Sequence, residues 1–330
     1  MIQRAAIIGD GAMGTVCAML LASNGAAVRL WGRNERRTLQ INTDRENKRY
    51  LAGHPLIDRI EAGTDPEWAL ADAELVISAV PCQFIRPVWQ QLAAHLPSAT
   101  PVVSVAKGIE NDTLKRPTEV LAELCGPRTY AMLSGPSIAG EIAKGLPCSV
   151  VIASQDQHTA ELAQLAFSTE SFRVYTNDDL LGVELASAMK NVIAIAAGII
   201  DGLKLGDNAK AALVSRGLVE ITRLGVAMGA RQDTFYGLAG VGDLVTTCIS
   251  PTGRNRTAGQ LIGQGQAPEE VIRSTSSIIE GIPTAKSVNA LARQHKVEMP
   301  ITQAIAAVLF EGLPVADAIR TLMTRQLKSE

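Results

Sequence analysis

Between Ala186 and Ile200 the chain carries a single charged residue, Lys190, in the run Ala-Ser-Ala-Met-Lys-Asn-Val-Ile-Ala-Ile-Ala-Ala-Gly-Ile-Ile. A helix that is apolar nearly all round is buried, and a charge inside it is costly unless it is paired or lines a cavity. Two readings of Lys190 follow. In one, burial lowers the ammonium pKa and leaves a general acid/base working near neutral pH. In the other, the aliphatic stem carries the charge out to the helix surface. Position alone does not choose between them. Asn191, beside it, can hold a ligand hydroxyl or a backbone group.

Two further clusters offer charge where a ligand could use it. Gly240-Val241-Gly242-Asp243-Leu244 opens one predicted helix, and Gly253-Arg254-Asn255 opens the next. Arg and Asn in the first turn of a helix make an anion site, here for a phosphate on the substrate. The alternatives are a helix cap for Asp243 and a solvated charged face for Arg254 and Arg256. Lys107-Gly108 follows the predicted strand Val102–Val105, and Ser134-Gly135-Pro136-Ser137 follows Tyr130–Leu133. Both loops are expected at the carboxyl edge of a parallel sheet, where such folds bind ligands. An exposed Lys-Gly turn and a Ser cap are the plainer readings of those loops.

The cofactor signal lies at the start of the chain. Gly9-Asp10-Gly11-Ala12-Met13-Gly14 follows the apolar strand Ala5–Ile8 and precedes an amphipathic stretch, Thr15 to Ser23. Gly-x-Gly-x-x-Gly in that setting is a dinucleotide turn. Its first two glycines let backbone approach a pyrophosphate, and the third lets the helix pack on the strand. The second strand, Ala27–Trp31, runs into Gly32-Arg33-Asn34 with Arg36 and Arg37 behind it. No acid stands at its tip to take a ribose 2′-OH. Arg33 there suits a 2′-phosphate, so NADPH is expected to be preferred over NADH. The alternative for Arg33 is a solvated basic helix start.

These residues require a particular frame. Strand-like runs at 4–8, 27–31, 74–80, 101–105, 129–133, 148–153 and 172–176 alternate with helical stretches, which predicts parallel strands joined by crossover helices. After Asp179 the periodicity is helical, over 179–201, 208–229, 232–236, 241–248, 254–263, 268–273, 283–294, 300–310 and 314–324. The expected fold is an α/β Rossmann-type doubly wound domain over 1–178, followed by an all-α domain over 179–330. Lys plus Arg number 31 and Asp plus Glu 33, so the net charge of −2 makes no electrostatic case for nucleic acid or an anionic membrane. The apolar run Val192–Ile200 is too short to span a bilayer at about 20 residues. Cys17, Cys82, Cys125, Cys148 and Cys248 are scattered without CxxC spacing, and four histidines lack ligand spacing. Reduced thiols, no metal site and, with no leader pattern at the start, a cytoplasmic location are expected.

In order, these motifs resemble the bacterial-type NAD(P)-dependent glycerol-3-phosphate dehydrogenases. The match runs through Gly9–Thr15, Lys107–Glu110, Ser134–Glu141, Gly182–Leu185, Lys190–Ala194, Ala211–Leu213 with Arg216-Gly217, Gly240–Thr247, Arg254–Arg256 and Glu280-Gly281. The resemblance implies reversible hydride transfer between NAD(P)H and dihydroxyacetone phosphate, giving sn-glycerol 3-phosphate for glycerophospholipid synthesis. It implies a homodimer. It makes Lys190 the proton donor and acceptor, with Lys107, Gly135, Ser137, Asn191, Asp243, Arg254 and Asn255 at the substrate. It puts Gly9, Gly11, Ala12, Met13, Gly14, Arg33, Tyr50, Lys107, Ala139, Arg254, Ile278 and Glu280 at the cofactor. The chain departs from the family where Asp10 replaces the usual Ala, Met13 an aromatic and Gly253 a frequent Ser, and where Tyr50-Leu51-Ala52-Gly53 lacks a Pro after Leu. The Asp10 carboxylate is expected to weaken cofactor binding unless it turns away from the pyrophosphate. A β-hydroxyacid dehydrogenase resembles Ser-Gly-Gly with Lys-x-x-Asn, against Ser134-Gly135-Pro136 and adjacent Lys190-Asn191 here. A non-catalytic NADPH-binding sensor would not need Lys190, Asp243 and Arg254 together.

Overall fold

The computed structural model describes residues 2–275 and 278–326. The chain forms two compact units. One takes Met1–Lys107 and Arg116–Glu184, the other Gly108–Lys115 and Leu185–Glu330. The helix Leu180–Gly202 starts beside the expected boundary at 178, and the units divide within it, after Glu184.

The first unit holds an eight-stranded sheet: β1 Arg4–Ile8, β2 Ala27–Trp31, β3 Ile60–Gly63, β4 Leu75–Ser78, β5 Val102–Ser104, β6 Tyr130–Ser134, β7 Cys148–Ser154 and β8 Phe172–Asn177. Their order is β3-β2-β1-β4-β5-β6-β7-β8, the doubly wound pattern, with α1 (Ala12–Ser23) and α2 (Glu35–Asp44) following β1 and β2. β1 shows why the strands read as unbroken apolar runs. Ala5 and Ile7 join one buried cluster and Ala6 and Ile8 the other, so both faces are covered.

Two strand expectations need correction. β6 and β7 pair antiparallel, while every other neighbouring pair in the sheet is parallel. The helix between them, Ala139–Ala143, has five residues. At 1.5 Å per residue it rises about 7.5 Å, well short of the roughly 17 Å that a five-residue strand spans. It therefore cannot carry the chain back across the sheet. β3 escaped the sequence reading because Ile-Glu-Ala-Gly is a short edge strand with an exposed Glu61, a composition that blunts an edge.

The second unit is helical, and close backbone contact sets its central crossing. Gly198 lies on Leu180–Gly202 and Gly259 on Arg254–Gly263. A Cβ on Gly198 would lie 1.9 Å from the Arg256 carbonyl oxygen, and one on Gly259 would lie 1.9 Å from that of Ile195. Gly202 and Gly263, one turn further along each helix, continue the same seam. Side chains at Lys190-Asn191 and Arg254-Asn255 are thus held in register by main chain on main chain. Leu180–Gly202 is long and apolar enough to cross a membrane by length and composition, but its most apolar stretch is 94% buried within the protein, as in a core helix. Glu184, in the first turns of that helix, pairs with Arg116 and accepts from Thr118 N (2.9 Å) and Thr118 Oγ1 (2.7 Å). Burial raises its carboxyl pKa, and the Arg116 charge and Thr118 donors act against that. The Gly182–Leu185 motif thereby gains a structural role for its one carboxylate.

Candidate active site

In the helical unit, Lys190 does not reach out to solvent. Its side chain is 6% exposed, and Nζ lies 2.9 Å from Asp243 Oδ1, itself 3% exposed. Nζ also donates to Thr247 Oγ1. Thr247 Oγ1 donates in turn to the Asp243 carbonyl at 2.7 Å, one helical turn back. Asp243 stands at the first position of Asp243–Ile249, directly after a π-helical turn over Leu238–Gly242. That turn needs glycine, since a Cβ on Gly240 would lie 2.0 Å from the Phe235 carbonyl oxygen. Single π-turns of this kind often mark functional sites. The expected helix over 241–248 is therefore two elements, and their junction delivers the carboxylate. Asp243 pairs with the ammonium instead of capping its helix. Thr247 was missed, although its i+4 spacing from Asp243 carries the signal.

A second chain of bonds runs from Asn191. Asn255 Nδ2 donates to Asn191 Oδ1 at 2.9 Å, and Gly281 N donates to Asn255 Oδ1 at 2.8 Å. A Cβ on Gly281 would lie 2.6 Å from the Asn191 carbonyl oxygen, so a side chain there would break the relay. The two arginines beside Asn255 differ. Arg256 is bound to Asp201, its Nη2 2.6 Å from Oδ2, and is part of the scaffold. Arg254 is exposed and donates through Nη1 to the Ile278 carbonyl at 3.1 Å. Glu280 directly precedes the helix Gly281–Gln294. Among the described residues, no group of three or more His, Cys, Asp or Glu is placed to hold a metal ion. Burial pushes the Cys248 thiol up to about 12, with Lys190 and Lys210 acting the other way, so it stays protonated at neutral pH.

In the nucleotide-type unit, packing explains two of the three turn glycines. Gly9 has φ +116°, and a Cβ there would lie 2.7 Å from the Ala79 carbonyl oxygen; one on Gly14 would lie 1.9 Å from that of Gly9. Gly11 is different: beyond the glycine and its two chain neighbours, no heavy atom lies within 4 Å of where its Cβ would be. The chain leaves room above Gly11 that it does not itself fill. Gly11 caps α1, whose first turn (Ala12, Met13, Gly14) has no acid and receives no side-chain cap. Open N–H groups and open space are what a pyrophosphate needs, so these residues fit a dinucleotide. Asn47, buried and also missed in the sequence, braces the turn by donating to Asp10 O and Thr15 Oγ1, both at 2.8 Å.

The Asp10 carboxylate turns away from the turn and pairs with Arg37, whose Nη2 donates to Oδ1 at 2.9 Å and whose Nε donates to Oδ2. The expectation that no acid stands at the tip of β2 is thereby corrected. Asp10 reaches that tip from the glycine turn, through space that a side chain at Gly32 would occupy. Arg33 is exposed, and among the described residues it makes no hydrogen bond or ion pair. The Tyr50 ring lies 5.4 Å from the guanidinium carbons of both Arg37 and Arg49. At the end of β5, Lys107 Nζ donates to the Gly135 carbonyl and to Ser137 Oγ, each at 3.1 Å. Gly135 needs its freedom, with φ +123° and a Cβ position 3.0 Å from Val150 Cα. Ala139 opens the short helix that follows.

Comparison with known proteins adds an independent line. The family profile described as NAD-dependent glycerol-3-phosphate dehydrogenase N-terminus matches residues 4–160, and the profile for its C-terminus matches 179–320. The chain is 45% identical over 326 residues to glycerol-3-phosphate dehydrogenase [NAD(P)+] of Carboxydothermus hydrogenoformans, covering 98% of this chain and 97% of that one. It is 47% identical over 328 residues to the enzyme of the same name from Chlorobium limicola, covering 98% of each. The crystal structure of glycerol-3-phosphate dehydrogenase from Coxiella burnetii superposes with a TM-score of 0.94 at 36% identity, covering 98% of this chain and 99% of that one.

Proposed function

The chain belongs to the NAD-dependent glycerol-3-phosphate dehydrogenase family, and we propose from that premise that Lys190 and Asp243 are the proton-handling pair of its reaction. It is an oxidoreductase that interconverts dihydroxyacetone phosphate and sn-glycerol 3-phosphate with NAD(P)H. In our reading residues 1–178 hold the dinucleotide and 179–330 hold the substrate and supply the proton. The observation that carries the proposal is a buried ammonium bonded at once to a carboxylate and a hydroxyl.

NAD(P)H, when bound, supplies the hydride. Lys190 holds a proton at Nζ, offsets negative charge on the ketone oxygen and donates the proton there; in the reverse direction neutral Nζ takes it from the alcohol. Asp243 holds the ammonium in place, and Thr247 Oγ1 fixes its direction. Asn191 and Asn255 restrain the substrate hydroxyl region, Asn255 donating to Asn191 and itself held by the Gly281 amide. Arg254 binds phosphate, and Lys107 with Gly135 and Ser137 forms a second polar contact for the substrate. Gly9, Gly11, Ala12, Met13 and Gly14 receive the pyrophosphate, with Tyr50, Ala139, Lys107, Ile278 and Glu280 as further cofactor contacts. Arg33, exposed with its donors open, supports a preference for NADPH. We assign the protein a cytoplasmic role as a homodimer supplying glycerol 3-phosphate for phospholipid synthesis.

The test is oxidation of NADPH by the purified protein, followed at 340 nm, with dihydroxyacetone phosphate and with unphosphorylated dihydroxyacetone. Turnover with the phosphorylated ketone and little with the other is expected. NADPH binding with no turnover of either would overturn the enzymatic reading in favour of a sensor.

A further inference from the structure

The Asp10–Arg37 pair is not needed to build the glycine turn. The turn is held by backbone, with Gly9 N donating to the Trp31 carbonyl at 2.9 Å and Thr15 N to the Gly11 carbonyl at 2.9 Å. Asn47 braces it through the Asp10 carbonyl and not the carboxylate. The carboxylate is committed elsewhere. A Cβ on Gly32 would lie 2.7 Å from both Asp10 Cγ and Oδ2, so the side chain occupies the space just past the end of β2.

That place has a known chemical meaning in Rossmann folds. An acid at the tip of the second strand accepts from a ribose 2′-OH, while an arginine nearby accommodates a 2′-phosphate. Here both charges are present, and they are bound to each other. Arg37 spends Nε and Nη2 on the two carboxylate oxygens in a fork, and its side chain is 19% exposed against 9% for Asp10. The Tyr50 ring at 5.4 Å helps hold the guanidinium where it is.

On the reading that this protein uses a nicotinamide dinucleotide, we propose that Asp10 and Arg37 form a charge-compensated discriminator for the adenosine ribose. The Asp10 carboxylate favours a 2′-hydroxyl and opposes a 2′-phosphate. Arg37 cancels most of that bias, and exposed Arg33 is left as the net cation. Both dinucleotides are then admitted, and NADPH gains less than Arg33 and Arg37 would give it without Asp10.

The test uses the full-length protein and equilibrium binding, so it does not depend on turnover. NADPH and NADH are titrated separately into the wild type, Asp10→Ala, Asp10→Asn and Arg37→Gln, and the ratio of the two dissociation constants is compared. Removing the carboxylate should shift the ratio toward NADPH by about tenfold, the size one elementary charge a few ångströms away produces at a protein surface. Arg37→Gln should shift it toward NADH by a similar factor. Asp10→Asn keeps the volume against Gly32 and serves if Asp10→Ala does not fold. A ratio unchanged in Asp10→Asn and Arg37→Gln, or shifted toward NADH in Asp10→Asn, would overturn the discriminator alone. A wild type that binds neither dinucleotide would overturn the dinucleotide reading beneath it as well.

Discussion

Around Lys190 the polar groups are bonded to one another: ammonium to carboxylate and hydroxyl, Asn255 to Asn191, the Gly281 amide to Asn255. Around the Gly9–Gly14 turn the chain stops short of itself. A Cβ on Gly11 would meet nothing within 4 Å beyond its chain neighbours, and Arg33 makes no hydrogen bond or ion pair among the described residues. The first region is built by packing, and its polar groups satisfy one another. The second is only partly determined by the fold, and what is left over matches what a dinucleotide would complete. Residues of the same type are therefore constrained for different reasons, and substitution should separate the reasons.

The largest effect is expected where packing alone demands glycine. Gly259→Ala would place a Cβ 1.9 Å from the Ile195 carbonyl oxygen, and Gly14→Ala would do the same against Gly9. Neither contact can be relieved by a rotamer, so each should lose about 3 kcal/mol or more of stability, read by chemical denaturation. Asp243→Ala comes next. It breaks a buried ion pair while Thr247 still accepts from the ammonium, and should cost about 3 kcal/mol, the lower end for a broken buried pair. Arg254→Ala should leave the denaturation midpoint in place, because the residue is exposed, and should raise KM for dihydroxyacetone phosphate by about 1.5–3 kcal/mol in binding. Arg256→Ala should do the opposite, since its partner Asp201 belongs to the scaffold. The smallest effect on stability belongs to Gly11→Ala, whose midpoint should match the wild type while NADPH affinity falls. A Gly11→Ala protein that unfolds early would erase the contrast between the two regions.

Much of this was legible in the sequence because it is local. The glycine turn, the lone lysine in an apolar run and the Gly-Asp and Arg-Asn helix starts are each contained within a few residues. What escaped depends on distance along the chain. Asp10 and Arg37 lie 27 positions apart and meet only because Gly32 leaves a gap. Asn47 reaches back 37 positions to the Asp10 carbonyl. The seam between Leu180–Gly202 and Arg254–Gly263 could be suspected from glycines four apart, but not the partner of each. The antiparallel β7 is as apolar as its neighbours, and the informative feature was the short link before it. Thr247 was within reach, one helical turn from Asp243.

Lys190→Met keeps length and apolar character while removing the charge and the proton that Lys190 is proposed to supply and take. Its kcat should be lower by roughly 10²–10⁴ if Lys190 has that role, with NADPH still binding in a fluorescence titration. A Lys190→Met enzyme with near-native kcat would contradict it and leave the buried pair with Asp243 as a structural feature.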